Sequence, residues 1–251
     1  MTNGIWPAPV RVPLKDVTLS VHCAGPEDSA APPVVLLHGF PEIAFSWRHQ
    51  LGALAAAGHR VIVPDQRGYG ASDAPAAIEA YDIAALTGDV VGLLDHFGHE
   101  RGIIVGHDWG GLVAWATATW HPSRVAGVVG VNTPFTKRAP QDPIALYRRR
   151  FGEDFYIVQF QAPGAAECWL EADIERTIRC FLRRPSAGGV PAGLSMRAQL
   201  AAFDPTTPEE APLLTPAERA VYVDAFKASG FRGPVNWYRN FSRNWLLSEA
   251  I

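Results

Sequence analysis

Arg101-Gly-Ile-Ile-Val-Gly-His-Asp-Trp-Gly-Gly-Leu-Val-Ala-Trp-Ala116 is the stretch that decides the fold. Arg101 to Val105 is a short apolar run of the kind a buried strand makes, and Leu112 to Ala116 begins a helical run. Between them, Gly106-His107-Asp108-Trp109-Gly110 has the small-x-nucleophile-x-small spacing of a nucleophile elbow, with an aspartate at its centre. Small residues on both sides let the chain turn sharply from strand to helix, which holds the Asp108 side chain above the sheet in a strained turn. A carboxylate in that place forms an alkyl ester rather than an acyl enzyme, so the implied substrate offers an electrophilic sp3 carbon, as an epoxide or alkyl halide does. Aspartate is also common in ordinary turns. The strand before it and the helix after it favour the catalytic reading.

Working outward, the chain from Val17 to about Thr133 alternates short β-rich runs with longer helical ones. Thr18 to Ala24, Val34 to Leu37, Arg60 to Val63, Gly102 to Val105 and Val125 to Val131 read as strands. Trp47 to Ala57, Asp82 to Phe97 and Leu112 to Trp120 read as helices. This rhythm predicts a doubly wound, mostly parallel sheet, in which ligands bind at the carboxyl ends of the strands. After Pro134 strands disappear, and Glu171 to Leu182 and Pro216 to Ala228 read as helices. Pro185 to Pro191 and Phe203 to Pro212 read as loops. The expected organisation is a core over 1–134, an inserted helical cap over 135–235, and a return to the core over 236–251.

The bulk composition narrows the function classes. A chain of 251 residues with 48% hydrophobic content suffices for one large α/β core or a core with an inserted module. A net charge of -3 gives no reason to expect nucleic acid or an anionic membrane as partner, and Arg148-Arg149-Arg150 reads as a solvated helix face. Met1 to Pro7 lacks the features of a signal peptide, and no apolar run has the length of a membrane span, so a cytoplasmic location is expected. Cys23, Cys168 and Cys180 are too scattered for a disulfide framework or metal cluster and read as buried thiols. No metal or organic cofactor is implied, and a homodimer is left open.

Further strand-end loops carry the chemistry. His38-Gly39-Phe40-Pro41 follows Val34 to Leu37 and can aim the Phe40 N–H at the nucleophile, where with the Trp109 N–H it would hold an oxyanion. Asp65 to Ser72 reads as loop architecture, and His107 is expected to point away from the site if Asp108 points into it. With these motifs the chain resembles the α/β-hydrolase-fold epoxide hydrolases of the soluble type. The matching stretches are His38 to Glu42 with Ser46-Trp-Arg48, Asp65 to Ser72, Gly106 to Gly111, Tyr156 to Gly164 and Gly230 to Asn240. The resemblance implies two cap tyrosines that donate to the epoxide oxygen as the ring opens, and Tyr156 and Tyr222 are matched to them. The chemistry is sensible, because a strained ether leaves poorly as an alkoxide unless its oxygen is hydrogen-bonded or protonated. Phe40, Trp109 and Phe160, with His38, are expected to line an oxyanion and substrate site that favours a small apolar epoxide, with water as second reactant. Related haloalkane dehalogenases tend to carry a halide-binding asparagine where Phe40 stands, and haloacetate dehalogenases carry arginines just after the nucleophile, where Trp109 and Leu112 stand here.

The pattern departs from the resemblance at one end. In this fold the order is nucleophile, acid, histidine. The histidines are His22, His38, His49, His59, His96, His99, His107 and His121, so none follows the cap and no orienting acid stands on a strand after it. By resemblance, C-terminal strands and a helix are missing, and a chain truncated at the C-terminus is expected. A protein of this length would expose Val125 to Val131 as a sheet edge and be poorly soluble or pair through it. The expectation is an epoxide hydrolase with residues for the first half-reaction only. An inactive remnant or ligand-binding module is the rival, and an aspartate-nucleophile dehalogenase the third reading.

Overall fold

The computed structural model describes residues 6–184, 195–207 and 212–250. The loop expected at Pro185 to Pro191 lies outside the described residues, as do residues 208–211 of the loop expected from Phe203. Among the described residues six strands form one sheet: β1 (Val10–Pro13), β2 (Thr18–Ala24), β3 (Val34–Leu37), β4 (Val61–Pro64), β5 (Gly102–His107) and β6 (Val125–Val131), in the order β1-β2-β4-β3-β5-β6. The β1–β2 and β2–β4 pairs are antiparallel, and β4–β3, β3–β5 and β5–β6 are parallel. β1, whose four residues are mostly exposed, carries too little apolar pattern to be read as a strand.

β3 and β4 are buried at every residue, which fits central strands covered on both faces. Their alternation divides the core. Val34, Leu36, Val61 and Val63 face α1 (Arg48–Ala56) with Trp47 and Leu51, whereas Val35, Leu37, Ile62 and Ile104 join the cluster that holds α2 (Ile83–His96) and α3 (Trp109–Trp120). Asp82 caps α2 by accepting from Ala85 N at 2.9 Å. Arg67 and Asp89 form a two-bond ion pair inside this layer, both bonds 2.6 Å long. β6 is the outermost strand among the described residues, with Val129 49% and Val131 38% exposed.

From Pro143 onward the α-helices of the described residues are α4 (Pro143–Phe151), α5 (Tyr156–Gln159), α6 (Ala165–Leu170), α7 (Ile174–Phe181), α8 (Met196–Ala202), α9 (Pro216–Ser229), α10 (Arg232–Arg239) and α11 (Phe241–Leu247), with no strand among them. Arg148 to Arg150 lie exposed on α4. The boundary expected at residue 235 falls inside α10, because the apolar face of that helix, Val235, Trp237 and Tyr238, is buried on both sides of it. α10 is tied to α6 by Arg239, which donates to both oxygens of Glu167 at 2.7 and 2.8 Å. α11 is tied to the start of α2 by Asn244 Oδ1, which accepts from Ile83 N at 2.8 Å, and by Arg243 Nε, which donates to Asp82 at 2.8 Å.

One composition reading changes. Of the thiols only Cys180 is buried; Cys23 is half-buried and Cys168 is exposed, because α6 turns that residue outward while Ala166 and Leu170 face the core. No helix of the described residues is long and apolar enough to cross a membrane.

Candidate active site

Asp108 stands between β5 and α3 with φ 51° and ψ -120°, a conformation a non-glycine residue rarely adopts. The neighbouring glycines make it possible by close approach: a Cβ on Gly106 would lie 2.0 Å from the Gly110 oxygen, and one on Gly110 would lie 2.1 Å from the Leu37 oxygen. β5, α3 and the end of β3 therefore meet backbone to backbone, and the side chain between them is lifted toward the strand ends.

Phe40 N donates to Asp108 Oδ1 at 2.9 Å, and Trp109 N–H also donates to this carboxylate. These are the two donors expected for an oxyanion. Asp108 keeps an exposed edge, yet the protein atoms around its carboxylate desolvate it and raise its pKa against the pull of the two N–H groups. Thr133 Oγ1 donates to the Asp108 carbonyl oxygen at 3.2 Å, which ties the end of β6 to the elbow.

An aromatic wall from the helical segment surrounds the pair. The Phe40 ring meets Phe160, Phe231 and Tyr238 edge-on, with centroids 5.9, 6.0 and 5.4 Å away. Tyr238 also packs on Trp109 at 5.1 Å and on Tyr156 at 5.8 Å. Burial, with the nearby Asp108 charge, pushes the Tyr156 hydroxyl up to about 12 and the Tyr238 hydroxyl well above its ordinary value. Both phenols therefore stay protonated and able to donate over any ordinary pH range.

Two of the expected site residues take other places. His38 is fully buried: its Nε2 accepts from Gln66 N at 3.0 Å, which leaves Nδ1 to donate to Gly39 O at 2.9 Å. It shapes the Phe40 loop and presents no surface to a ligand. Tyr222 is 2% exposed, and its hydroxyl lies 3.0 Å from Ser46 Oγ with its ring against Phe45. The phenol that joins Tyr156 in the Asp108 neighbourhood is Tyr238 instead. Its signal was in the sequence, because Tyr238 stands inside the Gly230 to Asn240 stretch whereas Tyr222 stands ahead of it.

His107 and the loop residues behave as supports. His107 Nδ1 lies 3.1 Å from Glu42 Oε2, which also accepts from Gly39 N at 2.8 Å. The Glu42 hydrogen bond raises the His107 pKa; on Glu42, burial pushes upward but is outweighed by His107 and the Gly39 N–H, and the carboxyl titrates below its usual range. Asp65 accepts from Ala44 N at 2.9 Å and Ala71 N at 3.2 Å, which confirms a loop-building role for the Asp65 to Ser72 stretch.

An aspartate at a strand–helix elbow, two backbone donors on it and an α/β sheet beneath define an α/β hydrolase. Residues 32–167 match the family described as alpha/beta hydrolase fold. The chain is 47% identical over 232 residues to epoxide hydrolase A of Mycobacterium tuberculosis, an alignment covering 89% of this chain and 71% of that protein. It is 42% identical over 223 residues to bifunctional epoxide hydrolase 2 of Sus scrofa, covering 87% of this chain and 40% of that one. The crystal structure of epoxide hydrolase A from Mycobacterium thermoresistibile superposes with a TM-score of 0.86 at 44% identity, covering 97% of this chain and 77% of that one. The chain belongs to the epoxide hydrolase family of α/β hydrolases.

Proposed function

We propose that this chain opens small apolar epoxides through an ester on Asp108, with α4 to α10 acting as a cap over the site. The observation that carries the reading is the Phe40 N–H on Asp108 Oδ1, with the Tyr156 and Tyr238 phenols in the same aromatic enclosure. The held oxygen becomes the ester carbonyl oxygen, and the other carboxylate oxygen attacks a ring carbon. The ring C–O bond breaks, its electron pair goes to the epoxide oxygen, and Tyr156 or Tyr238 supplies a hydrogen bond or proton to that oxygen. Phe40 and Trp109 N–H groups then stabilise the oxyanion formed when water attacks the ester. The aromatic enclosure favours aryl and alkyl epoxides over charged ones.

The water step needs a general base. The two histidines beside Asp108 are engaged elsewhere: His38 is closed off by Gln66 and Gly39, and His107 is held on Glu42. A polypeptide of these 251 residues is expected to form the ester faster than it hydrolyses it. The test is the intact mass of the 27.2 kDa protein before and after incubation with a small aryl epoxide, with Asp108→Asn alongside. An accumulating adduct that requires Asp108 supports the reading. Absence of both adduct and diol would instead favour a remnant or a binding module, and steady diol release would refute the stall.

A further inference from the structure

The turn that follows the Phe40 loop, Ala44–Trp47, and the first residue of α1 carry polar groups that the proposed chemistry does not use. Arg48 Nε donates to Glu218 Oε1 at 2.7 Å, with the two side chains only 14% and 23% exposed. The other oxygen of Glu218 accepts from Thr215 N at 2.8 Å and Thr215 Oγ1 at 2.9 Å, and Glu218 N donates back to Thr215 Oγ1 at 3.2 Å. One carboxylate therefore closes the capping box of α9 and binds the core. The Thr215 N–H and Arg48 hold that carboxyl at about 2, so Glu218 is ionised at any working pH.

The contacts continue along α9 at helical spacing. Tyr222, one turn on, meets Ser46 Oγ and packs on Phe45, over whose ring the Arg48 guanidinium lies at 4.8 Å. Phe226, another turn on, stacks on Phe231 at 4.5 Å, and Phe231 touches Phe40. α9 then ends at Gly230, φ 67°, and the chain turns directly into α10, which carries Tyr238. A chain of contacts thus runs from the 44–48 turn through α9 to the phenol beside Asp108.

We propose that Arg48 is a positioning residue: paired with Glu218 it docks the first turn of α9 on the core, and through the short Gly230 turn it fixes where α10 holds Tyr238. Its kinetic consequence rests on the epoxide-opening reading, whereas its structural consequence rests on geometry alone. Arginine suits the role because its planar guanidinium stacks on Phe45 while its Nε points at Glu218, a combination a lysine ammonium cannot reproduce.

The test compares Arg48→Gln, Arg48→Lys, Glu218→Gln and the double Gln variant of the full chain. Glutamine at 218 still accepts from Thr215, so α9 keeps its cap while the ion pair is lost. Both single Gln variants should form the Asp108 adduct about tenfold more slowly at saturating aryl epoxide, with the half-saturating concentration little changed. The double variant should be no worse than either single one, because both remove the same contact. Arg48→Lys should recover only part of the rate. The defect should shrink across a series of aryl epoxides whose ring oxygen leaves more easily, because these need less help from a phenol. Amides of Arg232–Arg239 should exchange faster with solvent while those of β3 and β5 do not. A defect uniform across the epoxide series, or exchange raised throughout the molecule, would mean general destabilisation and overturn the proposal. If the parent chain forms no adduct at all, the epoxide reading fails, and the exchange measurement alone then decides: faster exchange confined to α10 sustains the docking role, and unchanged exchange sinks it.

Discussion

Asp108 is a carboxylate in a left-handed backbone conformation with two N–H groups on it and a wall of aromatic rings above it. Under the proposed chemistry it must be ionised, while Tyr156 and Tyr238 must be protonated. Crowding raises the Asp108 pKa, so adduct formation should fall as pH drops through a value above the usual carboxylate range. It should hold on the alkaline side until Tyr156 ionises, at about 12. A pH–rate profile of single-turnover alkylation checks both limbs, and an acid limb at or below the ordinary aspartate value would contradict the assignment. The tyrosines give a sharper contrast. Tyr156→Phe and Tyr238→Phe should each slow alkylation by about a hundredfold, the low end for a positioned proton donor, whereas Tyr222→Phe should cost no more than about threefold. Equal losses at Tyr222 and Tyr238 would return Tyr222 to the site. The sequence points to Tyr156 and Tyr222, whereas the rings packed together beside Asp108 are those of Tyr156 and Tyr238, and the difference has a physical reason. Tyr222 and Tyr238 lie on consecutive helices, and which one faces the elbow depends on how α9 and α10 pack, a tertiary fact that spacing along the chain does not carry.

At the scale of elements, the elbow is a three-way backbone crossing of β3, β5 and α3. Gly110→Ala places a methyl group 2.1 Å from the Leu37 oxygen, and the clash falls on backbone that cannot swing away. Chemical denaturation should register a loss of about 2–4 kcal/mol or more, within the range of severe core substitutions. A variant within about 0.5 kcal/mol of the parent would mean that the crossing is looser than described. The parallel strands were legible because β3, β4 and β5 are short apolar runs between turn residues. The eight α-helices described from Pro143 onward were only partly legible, since several are four to eight residues long and are held by long-range contacts such as Arg239 on Glu167 and Glu171 on Phe231 N. Short segments of this kind lack the repeated apolar spacing by which a helix is recognised.

In the molecule as a whole, the sheet fixes the nucleophile and its two donors, and the helical segment brings the phenols and aromatic walls to it. The ten residues from Gly39 to Arg48 belong to both halves of that arrangement. Phe40 holds the Asp108 carboxylate, Glu42 holds His107, Ser46 touches Tyr222, and Arg48 binds Glu218. A stretch with so many simultaneous duties limits how the molecule can be re-engineered. Substitutions inside it would shift turnover and substrate choice together, so a laboratory search for new selectivity should leave these ten residues alone and draw its diversity from the α4 to α8 side of the enclosure, Tyr156 excepted.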